Sequence, residues 1–115
     1  MQYALLIYQQ ESVLGPDEAS PAMMAIVAKH MAFSQALGAA RIGGSGLKFT
    51  TSATTVRHEG GHKSIHDGPF AETREQLGGF YLIEAPDLDA AIAVAERVPL
   101  TSDGAIEIRP MLGRA

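Results

Sequence analysis

Residues 3–8 (YALLIY) form an apolar run with no helical period, rich in residues that favour extended backbone. Such a run, lacking alternation, predicts a strand covered on both faces and therefore central in its sheet. A polar loop over residues 9–19 follows, broken at Gly15-Pro16. Ser20-Pro21 then has the chemistry of a helix start. The serine can cap, and proline suits the first helical position, where a missing N–H costs nothing. Ile26, His30, Phe33 and Leu37 recur at helical spacing beside Met23 and Val27, and Gly38 supplies the stop. His30 therefore lies within the buried stripe, and Met23, Met24 and Met31 read as core filler.

Residues 43–52, rich in Gly, Ser and Thr, predict a loop or a short irregular strand. Residues 54–58 and 62–67 are extended, and Gly60-Gly61 between them is a favoured two-residue hairpin turn. That turn pairs Glu59 with His62, His58 with Lys63 and Val56 with Ile65. Asp67 then shares the apolar face of Val56 and Ile65. A further strand over residues 77–85 is apolar on both faces. Pro86-Asp87 opens a second helix whose stripe is Leu88, Ala91, Ile92, Ala95 and Val98, ended by Pro99. A last strand over residues 105–110 alternates Ile106 and Ile108 with Glu107 and Arg109.

The order strand, helix, hairpin, strand, helix, strand predicts an α+β fold of the ferredoxin-like, split βαβ kind. It has an antiparallel sheet with two helices on one face. Two helices cover one face only, yet the strands over residues 3–8 and 77–85 are apolar on both. A second copy of the sheet, related by two-fold symmetry, is the simplest cover, so a homodimer is expected.

Composition narrows the function classes. The 115 residues suit one domain spanning the chain, 1–115, with 46% apolar and 19% charged residues. A net charge of −4, with basic residues scattered, argues against nucleic-acid binding and against a membrane-surface helix. The absence of cysteine removes disulfides, zinc-thiolate sites and cysteine nucleophiles, and fits a reducing compartment. The apolar start is too short for a membrane span and lacks the marks of a signal peptide, so a cytoplasmic location is expected.

The most distinctive text is residues 67–80, DGPFAETREQLGGF. Its first nine letters closely resemble the DGPFAETKE signature of the DGPF group within the YCII-related family, departing only at Arg74, where lysine is usual. The resemblance extends over nearly the whole chain, through MQYALLIY at the start, HMAF in the first helix, the TTVR strand and the closing IEIRPM. It implies a dimeric α+β barrel of ferredoxin-like protomers. Some YCII-related proteins carry a His–Asp pair regarded as an active site, one relative is a dehydrochlorinase, and DGPF proteins are often encoded beside extracytoplasmic-function sigma factors.

The family pair maps to His30 and Asp67. The strand and helix periods independently put both on inward faces, an arrangement suited to general acid/base chemistry. The competing reading makes His30 a core-edge histidine and Asp67 a turn residue bonding the backbone that follows it. Phe70, Glu72 and Arg74 can close over a ligand, Arg74 gripping a carboxylate or phosphate and Phe70 forming an apolar wall. The alternative leaves Glu72 and Arg74 solvated and Phe70 anchoring the loop. No cofactor is implied and no metal is expected. His62 and His66 lie about 13 Å apart along a strand, against metal–nitrogen bonds of about 2 Å.

Two functions compete on these residues. One is a small-molecule site of lyase or isomerase-like chemistry, with His30 moving a proton that Asp67 orients. The other is a non-enzymatic regulatory or interaction module, for example an accessory linked to a sigma factor.

Overall fold

A computed structural model describes residues 1–113. The chain runs β1 (Gln2–Gln9), α1 (Pro21–Leu37), β2 (Arg41–Gly46), β3 (Thr54–Glu59), β4 (His62–Asp67), β5 (Gln76–Glu84), α2 (Leu88–Ala95) and β6 (Gly104–Pro110), with short 3-10 turns at Glu11–Leu14, Gly38–Ala40 and Thr50–Ser52. The main sheet has the order β2-β5-β1-β6 with antiparallel neighbours, and β3 and β4 form a separate ribbon. This is the expected ferredoxin-like plan, with the hairpin inserted between the second and third strands of the sheet. No helix among the described residues is long and apolar enough to cross a membrane.

The local rules act where expected. Ser20 caps α1 by accepting from the Met23 N–H at 3.1 Å, and its hydroxyl donates to the Leu14 carbonyl. Asp87 caps α2 by accepting from the Ala90 N–H at 2.9 Å. Gly60 and Gly61 take φ of 57° and 81°, the paired positive values that a type I′ turn requires and that other residues resist. The pairings Glu59–His62, His58–Lys63 and Val56–Ile65 all occur.

Both helices pack on one face of the sheet. Tyr3, Leu5, Ile7, Tyr81 and Ile83 meet Phe33 and Leu37 of α1 and Ala91 and Ala95 of α2. The other face of the central strands, with Ala4, Leu6, Phe80 and Leu82, is only half-buried although the strands are central.

Several expectations need correction. The Gly-rich segment expected from residue 43 becomes a strand two residues earlier, at Arg41, because pairing with β5 overrides the weak strand propensity of glycine. Val98 is buried just past α2 rather than within it, while Leu88 and Ile92 are largely exposed. Met24 and Met31 are exposed, not core filler, because they lie on the opposite side of α1 from the face that buries Ile26, Phe33 and Leu37. Val56 and Ile65 share a face with Asp67 as expected, but that face is not inward. All of β4 is exposed, since no element among the described residues covers it.

Candidate functional site

The gap between α1 and the sheet is a cavity of about 400 Å³. Met23, Ile26, Val27, His30 and Met31 of α1 form one wall; Ile7 and Gln9 of β1, Arg41 of β2 and Gln76 and Tyr81 of β5 form another. Leu47 and Phe49, from the segment after β2, lie across it.

Two bulges aim polar side chains into this space. On β5, Gly78 is the extra residue between the pairs Ile7–Gly79 and Tyr8–Leu77. Beyond it Gln76 lies opposite Gln9, on the helix side of the sheet, where uninterrupted alternation would have put Leu77. On β2, Ile42 is the extra residue between the pairs Arg41–Ile83 and Gly43–Leu82; Ile42 is exposed while Arg41 turns toward Tyr81. Glycines at the seam let backbones approach: a Cβ on Gly79 would sit 3.0 Å from the Ser45 carbonyl oxygen.

The polar centre of the cavity is His30 with Tyr81. The imidazole Nδ1 and the phenol oxygen are 2.7 Å apart, and the rings stack with centroids 5.8 Å apart. Tyr81 is further held edge-on by Phe33, at 5.3 Å between centroids. Burial holds His30 below the usual histidine range, partly opposed by the backbone of Pro99. With the ring proton on Nε2, Nδ1 accepts from the Tyr81 hydroxyl, and we assign the shared proton to that hydroxyl on this tautomer.

Around this pair two carboxylates hold the adjoining segment, and Arg41 keeps unused donors. Both carboxylate oxygens of Glu11 accept from Thr50, from its N–H and its hydroxyl, each at 2.7 Å. Glu18 accepts from the Phe49 N–H at 3.0 Å, and that bond is the main reason its carboxyl lies below the ordinary range. Together they clamp the segment after β2 against the cavity. The Arg41 guanidinium lies 5.9 Å from the Tyr81 ring centroid and donates one bond, to the Gly44 carbonyl at 3.0 Å. Its Nε and the Nε2 of Gln9 are buried without a partner.

Of the residues singled out in the sequence, His30 alone lines this cavity. Asp67 ends β4, paired with Thr54 and exposed, and makes no hydrogen bond to His30. Phe70 is 73% exposed and Glu72 is also exposed. Arg74 lines a separate cleft with Gln10, Val13, Glu75, Ser102 and Asp103. Within the protomer His30 meets Tyr81 and not Asp67, because the ribbon carries Asp67 away from α1. Sequence reading passed over Tyr81, Arg41 and Gln9. The signal for Tyr81 was its place two residues before Ile83, on the helix-facing side of a central strand.

The model of the YCII-related domain matches residues 1–113. The chain belongs to the YCII-related family. An uncharacterized protein of Rhizobium meliloti (strain 1021), R00369, is 38% identical over 118 residues, covering 96% of this chain and 92% of that protein. Among the described residues this YCII-related protein has no cluster of three or more His, Asp or Glu able to hold a metal ion.

Proposed function

We propose that this YCII-related protein binds a small molecule in the cavity beneath α1 and moves a proton there through Tyr81 and His30. The observation that carries the reading is the 2.7 Å contact between the buried Tyr81 hydroxyl and a half-buried imidazole. When the Tyr81 oxygen takes a proton from a ligand, its own proton passes to Nδ1, leaving a ligand anion opposite an imidazolium. Return of the proton to a different ligand atom is an isomerisation, and loss of a leaving group from the anion is an elimination. Apolar walls from Ile7, Ile26 and Val27 exclude water and suit a small, largely apolar ligand.

Incubation in D2O with a panel of phenols, lactones and aromatic acids tests this reading. Deuterium entering a panel compound at an acidic C–H, lost in Tyr81→Phe and in His30→Ala, is expected. A panel that neither exchanges nor shifts the His30 ring resonances removes it.

A homodimer supports the same site from outside. The half-buried face of Ala4, Leu6, Phe80 and Leu82 lacks a covering layer in the protomer, and a second sheet is the cover that fits it. Any part for Asp67, Phe70, Glu72 or Arg74 in the His30 cavity belongs to such an assembly, with the loop reaching it from the other subunit.

One observation favours the interaction-module reading. Val56, Ile65 and Phe70 are 55%, 74% and 73% exposed on and beside the ribbon, an apolar patch separate from the open sheet face. A protein partner, for instance a sigma factor, would dock there. Recovery of that partner at physiological salt, abolished in Ile65→Asp, is the expected result, and retention of nothing rejects it.

A further inference from the structure

Arg41 is a half-buried cation facing the cavity with no counter-ion. The ion pairs among the described residues join the N-terminus to Glu84 and Arg109 to Glu107, and neither involves Arg41. Glu11, the acidic residue in the same wall, has both carboxylate oxygens committed to Thr50. A guanidinium carries five N–H donors, and Arg41 uses one on Gly44.

An unpartnered buried donor such as the Arg41 Nε is costly, and the cation that carries it has no ion pair among the described residues. The irregularity at Ile42 is what turns Arg41 into the cavity.

Resting on the proton-transfer reading above, we infer that the ligand carries a carboxylate, received by Arg41, with its apolar body against Ile7, Ile26 and Val27. A carboxylate supplies two coplanar acceptors, matching the guanidinium fork. With Arg41 stacked on the Tyr81 ring, such a ligand places the carbon atoms next to its carboxyl group beside the phenol oxygen. The substrate class is then a small aromatic or unsaturated carboxylic acid, with the transferred proton close to the carboxylate.

The test compares benzoate with neutral benzamide as probes, using chemical-shift titration of the full chain. Benzoate is expected to bind about tenfold or more tightly than benzamide, a difference typical of a charge-assisted bond. Arg41→Met should remove that preference. Arg41→Lys keeps the charge and loses the fork, and should restore part of the preference. Equal binding of both probes overturns the carboxylate inference and leaves the small-molecule site standing. Binding of neither probe, with His30 resonances unmoved, overturns both. A preference for benzoate that survives Arg41→Met assigns the anion to other residues and overturns the role of Arg41.

Discussion

His30 and Tyr81 come from elements 51 positions apart and meet at 2.7 Å, so that one hydrogen bond ties the middle of α1 to a central strand across the cavity. The bond is both a structural strut and the one place in the cavity where a titratable ring touches a hydroxyl. Its two roles respond differently to mutation.

Tyr81→Phe keeps the ring against Phe33 and removes only the hydroxyl. The loss leaves Nδ1 of a half-buried imidazole without its donor and is expected to cost about 1 kcal/mol in urea unfolding. Burial, the main cause of the lowered His30 pKa, is untouched by this change, so the titration midpoint, followed by NMR, should stay below the ordinary histidine value.

Stability should depend on pH through His30. Its folded-state pKa is lowered by burial, so the unfolded chain takes up a proton first, as pH falls below about 6.5. The contribution is fully present above that value and is lost as pH falls on through the folded-state pKa. His30→Asn should flatten this loss, seen as a smaller fall in Tm on acidification than in wild type. Equal falls in the two proteins would assign the acid sensitivity to other groups.

Ser20→Ala removes two bonds at once, the cap to Met23 and the donation to Leu14. Because Ser20 is buried, water cannot replace them, and the variant should lose about 1–2 kcal/mol by chemical denaturation. Ser20→Asp, which keeps an acceptor for the Met23 N–H, should fall short of wild type by losing the Leu14 bond.

The open sheet face gives a prediction about assembly. Wild-type protein should sediment as a dimer, and Leu6→Asp or Leu82→Asp should sediment as a folded monomer, because each puts a charge on the half-buried face and leaves the core side untouched. A monomeric wild type at micromolar concentration would remove the dimer from consideration.

The fold was legible because its signals are local and strong. Ser20-Pro21, Gly60-Gly61 and Asp87 each act within three or four residues, and each did in the structure what its chemistry allows. His30 was legible for the same reason, through its helical period with Ile26 and Phe33. The rest of the cavity was not. Arg41 and Gln76 face inward only because of bulges at Ile42 and Gly78, and a one-residue slip that inverts a strand's faces has no period of its own to read. Asp67 was placed inward because Val56 and Ile65 mark an apolar face. An apolar face on a two-stranded ribbon, however, says only that something should cover it, not that the same protomer does.

That ribbon has a further consequence. Among the described residues, 54–70 hydrogen-bond only among themselves and to Ala53. Nothing in those bonds couples the ribbon to the main sheet, so it can open while the sheet stays closed. Its backbone amides are thereby a built-in gauge of company: fast to exchange when the protein stands alone, slow when a subunit or a partner lies across Val56 and Ile65.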